Sequence, residues 1–171
     1  LFVTGSNSEK LQSIKSKYLD NLEICKCDLS KDHEIINLIK KSEEFFGNID
    51  ILINNAGITK DNLFLRISNN DWKDVMDINL NANFSITKLA IKGMVKKRWG
   101  RVINISSDAA KIGNPGQTNY VASKSAIEGF SRSLASEVAS RNVTVNCVSP
   151  GLINTNILDA IEQDKLESMA K

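Results

Sequence analysis

Tyr120 and Lys124 are the two residues of this chain whose types and spacing best suit proton transfer. Residues four apart lie on one helical face, so the phenol and the ammonium can point into the same space. A free tyrosine, with a pKa of about 10, exchanges its proton poorly near neutral pH. A cation about 4 Å away favours the phenolate by about 4 kcal/mol at an effective dielectric of 20, which burial opposes. The pair is a candidate proton donor, although the same spacing also occurs by accident on exposed helices.

Ser107 supplies a hydroxyl nearby in the sequence. It ends a predicted strand over 101–107, and a loop rich in Gly, Pro and Asn connects it to the helix that carries Tyr120. Ser106 is adjacent and would face the opposite side of a strand, so Ser107 is the predicted functional serine. Two serines at a strand end are also an ordinary structural feature.

Two segments that contain asparagine are further candidates. Asn54-Asn55-Ala56-Gly57 follows an apolar strand over 49–53, and a glycine there lets the backbone approach a ligand closely. A turn with no ligand is the alternative. Asn79 lies between Ile78 and Leu80 on a predicted helix, where a buried amide needs a partner. A structural hydrogen bond and a functional one are equally consistent with that position.

Short apolar strands alternate with amphipathic helices, which predicts an α/β fold: a Rossmann-type, doubly wound parallel sheet with helices on both faces, in three layers. Strands are predicted over 1–5, 22–27, 49–53, 101–107 and 143–148. Helices are predicted over 8–18, 31–46, 70–84, 85–99 and 120–140. The second helix is predicted to bury Ile35, Ile36, Ile39 and Phe46. We expect Ser8 to cap the first helix and Asp28 or Ser30 to cap the second.

Composition narrows the class of protein. The 171 residues, 42% of them hydrophobic, can bury one substantial core, which predicts a single domain over 1–171. A net charge of +2 with intermixed acids and bases argues against a nucleic-acid tract or a polybasic membrane anchor. The sequence shows neither a spanning apolar run nor a signal-peptide layout, so we expect a soluble protein.

The cysteines and the histidine suggest no further chemistry. Cys25, Cys27 and Cys147 lack the spacing of metal ligands, so no metal site is expected. Cys25 and Cys27 alternate in a strand and are predicted to pack on one face of it in a reducing compartment. His33 is expected to be solvated and has no predicted catalytic role.

Five motifs occur in the order typical of the short-chain dehydrogenase/reductase family, which the chain resembles over nearly its whole length. They are Asn54-Asn55-Ala56-Gly57, Asn79, Ser107, Tyr120 with Lys124, and Pro150-Gly151. Three segments, NNAGITKDNLFLRISNNDWKDVMDINL, GNPGQTNYVASK and EVASRNVTVNCVSPG, resemble the 3-oxoacyl-[acyl-carrier-protein] reductases of bacterial-type fatty acid synthesis. The resemblance implies reduction of a 3-oxoacyl thioester to the 3-hydroxyacyl form with NADPH.

The resemblance also implies a role for each catalytic residue. Tyr120 protonates the developing alkoxide, and Ser107 hydrogen-bonds the carbonyl oxygen. Lys124 lowers the pKa of the phenol and binds the cofactor ribose, and an oxidised nicotinamide would add a second positive charge. Asn79 holds a water that connects Lys124 to solvent.

NADP(H) is the cofactor that the resemblance implies, held by residues that follow the strands. They are Thr4, Gly5, Ser6, Asn7, Asp28, Leu29, Asn55, Ala56, Gly57, Tyr120, Lys124, Pro150, Gly151, Ile153 and Thr155. The family's first strand leads into a glycine-rich TGxxxGxG turn, of which only Thr4 and Gly5 are present here. We therefore expect a helix and a strand of the family to be missing between Gly5 and Ser6, and its last helix and strand beyond Lys171. Ser6-Asn7 favours NADPH, since no neighbouring acid would repel a 2′-phosphate.

The resemblance also implies binding partners and a location in the cell. Arg98, with Arg141, is a possible contact for acidic acyl carrier protein, although cations at 96–98 also suit the end of a helix. The helix of Tyr120 and its predecessor would form the interfaces of a homotetramer. A cytoplasmic location is implied, with an organelle matrix or a plastid left open.

Two other functions stay open. Asp108-Ala109-Ala110-Lys111 stands where relatives usually have apolar residues, and Asp108 would oppose a phenolate unless Lys111 neutralises it. The chain could be a related reductase that acts on an alcohol, a sugar or a steroid. It could also be a non-catalytic cofactor-binding or regulatory protein, since the phosphate-binding turn is incomplete.

Overall fold

The computed structural model describes residues 1–18, 21–151 and 153. Within them the strands are β1 Phe2–Gly5, β2 Glu23–Lys26, β3 Ile51–Asn54, β4 Gly100–Ile105 and β5 Val143–Val148. The helices are α1 Ser8–Lys17, α2 Asp32–Phe46, α3 Asn69–Met76, α4 Ala82–Lys97, α5 Ala109–Ile112 and α6 Thr118–Val138. All strand pairs among these residues are parallel, which confirms the predicted α/β class. In this part of the chain, no helix has the length and apolar character that a membrane crossing requires.

β1 and β2 form a two-stranded parallel sheet, in register from Phe2 opposite Glu23 to Gly5 opposite Lys26. The chain leaves β1 at Gly5 and enters α1 after only two residues, so α1 is the crossover between the strands. The prediction that a helix and a strand are missing between Gly5 and Ser6 is therefore wrong. These residues belong to one continuous βαβ unit.

β3, β4 and β5 form a second parallel sheet in that order. The β4–β5 pairing continues past the strand ends, since Ser106 N donates to Val148 O at 2.7 Å and Asp108 N donates to Pro150 O at 3.0 Å. Because parallel strands end at the same edge, the segments that follow β3, β4 and β5 lie side by side. This edge contains Ser107, the segment Asn55–Gly57 and Pro150-Gly151.

The helices cover the two sheets differently. Leu11 of α1 lies beside Gly5, whereas α2 packs on the opposite face with Phe2 and Cys25, so β1 and β2 lie between two helical layers. α4 and α6 pack together on one face of the three-stranded sheet. Ile51 and Ile53 on its other face are 55% and 58% exposed. The prediction that helices bury both faces of β3 therefore does not hold for the described residues.

α4 joins the two sheets into one core. Its buried residues pack with β2 and α2 in a cluster formed by Cys25, Cys27, Ile35, Leu38, Ile39, Ala82, Ile86 and Ala90. Leu52 of β3 packs against the same cluster. Burial raises the pKa of the Cys27 thiol to about 11, which suits the predicted packing role. Ile36 and Phe46, which were predicted to be buried, are exposed.

Helix ends depart locally from the predictions. Asn7, not Ser8, caps α1, and its side chain accepts a hydrogen bond from Lys10 N at 2.9 Å. The N-cap position of α2 is Lys31 rather than Asp28 or Ser30. A π-helical segment over Asp77–Asn81 joins α3 to α4, so the boundary lies earlier than predicted. Such π segments are frequent at functional sites, and this one contains Asn79.

Candidate active site

Tyr120 and Lys124 lie in the first two turns of α6. The buried Asn119 attaches this end of the helix to the segment after β3: its Nδ2 donates to Lys60 O at 2.9 Å, and its Oδ1 accepts from Tyr120 N at 2.8 Å. The Nζ of Lys124 lies 5.7 Å from the centroid of the Tyr120 ring. The two side chains therefore share one space, as their spacing predicts.

The pKa of the Tyr120 phenol lies above its usual value, contrary to the lowered pKa that was expected. Burial of the ring is the main cause. The nearby hydroxyl of Ser107 lowers the pKa, whereas the charges of Asp108 and Asp61 raise it further. The neutral phenol is thus the stable form near neutral pH, and the raised pKa makes Tyr120 a weaker acid than a free tyrosine.

Lys124 is deeply buried, with only 4% of its surface exposed. Its Nζ donates to the backbone oxygen of Ile105, at the end of β4, at 2.7 Å. Burial lowers the pKa of the ammonium. An ammonium has three N–H donors and the bond to Ile105 uses one. The remaining donors suit a neutral oxygen ligand such as a pair of ribose hydroxyls.

Ser107 faces Tyr120, whereas Ser106 faces the interior. The hydroxyl of Ser107 donates to Asp108 Oδ1 at 3.2 Å and accepts from Ala109 N at 3.3 Å. Ser106 is buried, and its hydroxyl bonds to the side chain of Glu128. This is the geometry that alternation along a strand predicts for the two serines.

Asn79 connects the segment after β3 to α6. Its amide donates to Ile58 O and to Ser123 Oγ, both at 3.0 Å, and its Oδ1 accepts from Ile58 N at 2.8 Å. A Cβ at Gly57 would lie 3.4 Å from Asn79 Oδ1 and 3.5 Å from Lys124 Nζ. Asn79 therefore has structural partners and also lies beside Lys124. Glycine at position 57 keeps the space next to this ammonium open.

The residues after β1 do not form a glycine-rich phosphate-binding turn, of which the sequence has only Thr4 and Gly5. The Thr4 hydroxyl donates to Cys25 O at 2.8 Å, and Asn7 caps α1. Gly47, Gly113 and Gly116 are the glycines with positive φ in the described ranges, so Gly5 adopts no left-handed turn. Ser6 and Asn7 are exposed at the carboxyl end of β1.

The other predicted cofactor contacts also follow strands. Hydrogen bonds from Ser30, then from Lys31, hold the pKa of Asp28 below its usual value, and Leu29 packs against the core. Asn55 and Ala56 are exposed after β3. Sequence reasoning placed these residues at strand ends, where the structure has them.

The segment after β5 lies against Asp108. Pro150 O accepts the hydrogen bond from Asp108 N, and a Cβ at Gly151 would lie 3.5 Å from Asp108 Oδ2. Ile153 is exposed, and Thr155 lies outside the described residues. The open loops after β3 and β5 and the donors of Lys124 fit the nicotinamide and ribose half of a dinucleotide.

A buried polar network behind the site was missed by sequence reasoning. Asn54 Nδ2 donates to Asn104 Oδ1 at 2.8 Å and to Thr87 Oγ1 at 3.0 Å, and Asn104 Nδ2 donates to Ser131 Oγ at 2.8 Å. It connects β3, β4, α4 and α6. The position of Asn104 between two isoleucines was the available signal, since a buried amide needs partners.

Comparison with known proteins agrees with this geometry. The family described as short chain dehydrogenase matches residues 1–166. The chain is 45% identical over 171 residues to the 3-oxoacyl-[acyl-carrier-protein] reductase FabG of Rickettsia prowazekii (strain Madrid E), covering 100% of this chain and 69% of that protein. It is 44% identical over 165 residues to nodulation protein G of Rhizobium sp. (strain N33), covering 96% of this chain and 67% of that protein. The FabG reductase of Haemophilus influenzae is 43% identical over 166 residues, covering 96% and 69%. The chain therefore belongs to the short-chain dehydrogenase family.

Proposed function

We propose that this protein uses NADPH to reduce 3-oxoacyl-[acyl-carrier protein] to 3-hydroxyacyl-[acyl-carrier protein] in type II fatty acid synthesis. The main support is the convergence of a protonated Tyr120, the hydroxyl of Ser107 and the buried ammonium of Lys124. The similarity to proteins named as reductases of this substrate supports the choice of substrate. We treat residues 1–171 as one reductase domain, because α4 joins both sheets in one core.

When bound, NADPH would supply the hydride that the keto carbon receives. Ser107 turns its hydroxyl from Asp108 to the carbonyl oxygen and stabilises the charge that develops there. Tyr120, whose phenol is protonated at neutral pH, then gives its proton to that oxygen, because an alkoxide is a stronger base than a phenolate. Lys124 holds the ribose and stabilises the phenolate left behind. Asn79 anchors the water through which the proton is replaced.

The cofactor residues divide into two groups. Lys124, Asn55–Gly57, Pro150, Gly151, Ile153 and Thr155 would hold the nicotinamide half. Thr4–Asn7, Asp28 and Leu29 would lie near the adenosine half. The exposed Ser6 and Asn7 leave space for a 2′-phosphate, so we expect a higher kcat/KM with NADPH than with NADH.

The test measures NADPH oxidation by the purified protein with an acetoacetyl thioester. Tyr120→Phe should lower kcat about 10²- to 10⁴-fold, because it removes the proton donor. Tyr18→Phe is the matched control, since Tyr18 is exposed on the C-terminal side of α1 and should leave kcat unchanged. Full activity of Tyr120→Phe would rule out the acid role.

Acyl carrier protein is the proposed partner, with Arg98 and Arg141 as contacts. The Arg98 guanidinium donates to Ser140 O at 2.9 Å, which brings the two arginines into one basic surface. This surface precedes β4, whereas Ser107 follows it, so about 20 Å of strand separates them. The flexible arm of the substrate would have to span that distance. Arg98→Glu should raise KM for the carrier-bound substrate and leave KM for a small thioester unchanged.

We also propose a homotetramer located in the cytoplasm. α4 and α6 border an open groove lined by Phe84, Thr87, Lys88, Ile91, Phe130, Ser133, Leu134 and Glu137. Phe84 is 48% exposed there. A second copy of the same helices would cover these apolar side chains.

A second candidate substrate class is supported by Asp108. Asp108 adds a negative charge beside Ser107 and Tyr120, which suits a polar alcohol or sugar better than an apolar acyl chain. The rate of acetoacetyl thioester reduction, compared with the rates of oxidation of small alcohols, sugars and steroids, distinguishes the two substrate classes. NADPH binding without turnover of any of them would favour a non-catalytic, regulatory role.

A further inference from the structure

Glu128 continues the face of α6 that carries the catalytic pair. It follows Lys124 by four residues, as Lys124 follows Tyr120, so all three lie along one side of the helix. Its Oε1 accepts hydrogen bonds from Ser106 Oγ and from Ser149 Oγ, each at 3.0 Å. One carboxylate oxygen thus connects the segments that follow β4 and β5.

These two segments hold residues of the proposed site. Ser106 precedes Ser107, and Ser149 precedes Pro150. Backbone hydrogen bonds join the same segments on either side of Ser107, from Ser106 N to Val148 O at 2.7 Å and from Asp108 N to Pro150 O at 3.0 Å. The position of Ser107 therefore depends on how closely the segments after β4 and β5 are held together.

Glu128 also sets the distance from these segments to α6. Ser106 is 3% exposed, and its hydroxyl lies 3.3 Å from Lys124 O as well as near Glu128. Replacing the carboxylate by a methyl group would leave the hydroxyls of Ser106 and Ser149 without this acceptor. The segments could then shift relative to the helix that carries Tyr120 and Lys124.

We infer that Glu128 is a positioning residue, which fixes Ser107 and Pro150-Gly151 against α6 through Ser106 and Ser149. This inference rests on the proposed reductase function. It assigns Glu128 no contact with the substrate or the cofactor. Its effect on the reaction comes through the placement of the Ser107 hydroxyl relative to Tyr120.

Two substitutions separate positioning from general stability. Glu128→Gln keeps a side-chain oxygen that accepts both serine hydroxyls, so kcat should stay within about twofold of the wild type. Glu128→Ala removes the acceptor and should lower kcat about tenfold or more, because small misplacements near reacting atoms have large effects. Glu44→Ala removes an exposed carboxylate of α2 and should leave kcat unchanged. Ser149→Ala removes one of the two hydrogen bonds to Glu128 and should lower kcat by a smaller factor than Glu128→Ala does.

Hydrogen exchange tests the placement without relying on turnover. The amides of Ser106 and Asp108 should exchange about tenfold faster in Glu128→Ala than in Glu128→Gln, at equal protection of the β3 amides. If Glu128→Ala leaves exchange at both amides unchanged, the inference is overturned. It is also overturned if these amides exchange faster while the kcat of an active enzyme stays unchanged. A wild type that reduces no acyl thioester would overturn the proposed function instead, and the exchange comparison would still decide the role of Glu128. If Glu128→Ala does not fold, Ser149→Ala provides both measurements.

Discussion

At the scale of single residues, the spacing of Tyr120 and Lys124 predicted their proximity but not their protonation. Helical geometry alone places side chains four apart on one face, and the structure has them there. The direction of the Tyr120 pKa shift depends on burial and on Asp108 and Asp61, which lie on other segments. Sequence spacing does not reveal the balance between burial and these charges. Asp108 was the one charge that sequence reasoning identified, because it follows Ser107 directly.

Asp108 should therefore influence the pH dependence of the reaction. Asp108→Asn keeps an oxygen that can accept from Ala109 N and from Ser107, but removes the charge that raises the pKa of Tyr120. The phenol then loses its proton at lower pH. Reduction needs the protonated phenol. The alkaline limb of the pH profile of kcat/KM should therefore move to lower pH.

The control for this variant is Asp50→Asn, which removes an exposed carboxylate paired with Lys97. It should leave the alkaline limb in place. Salt should reduce the shift in Asp108→Asn, because Asp108 is exposed and its field is screened. An alkaline limb that stays unchanged in Asp108→Asn at low salt would show that Asp108 does not act on the phenol.

At the scale of helices and strands, periodicity found the elements but missed details set by packing. Strands and long helices were predicted close to their observed positions because their apolar residues repeat with the right period. The π segment at Asp77–Asn81 and the short helix α5 leave no such pattern. The supposed break after Gly5 came from matching Thr4-Gly5 to a glycine-rich turn, whereas Asn7 simply caps the next helix.

The start of β4 allows a sharp test of packing between elements. A Cβ at Gly100 would lie 2.5 Å from Met94 Cγ of α4, so the pair cannot keep this geometry with alanine at position 100. Gly100→Ala should lower the free energy of unfolding by about 1–3 kcal/mol in urea denaturation. Gly5→Ala is the control, since its new Cβ would make only an ordinary contact at 3.8 Å with Leu11.

A double variant tests whether contact with Met94 causes the loss of stability in Gly100→Ala. Met94→Ala alone should cost about 2–5 kcal/mol, because this buried side chain leaves a cavity. Combined with Gly100→Ala, the loss should be smaller than the sum of the two single losses, since the small side chain removes the clash. Strict additivity would contradict the close contact between Gly100 and Met94.

At the scale of the whole molecule, the sequence predicted one parallel α/β core. Among the described residues, the structure leaves two apolar surfaces exposed. One is the face of β3 with Ile51 and Ile53. The other is the groove between α4 and α6, whose apolar lining comes from positions that helical periodicity alone would assign to a core. Periodicity identifies an apolar face but not whether the same chain or another copy covers it.

A tetramer built on the α4–α6 groove should be disrupted by one charge. Phe84→Glu places a carboxylate among Ile91, Phe130 and Leu134, which a second copy could cover only by burying an unpaired charge. Sedimentation should show a smaller assembly than the wild type, with an unchanged far-UV circular dichroism spectrum. Ile36→Glu makes the same kind of change at an exposed position of α2 and should leave the assembly intact. A wild-type tetramer that Phe84→Glu leaves unchanged would place its interfaces elsewhere on the molecule.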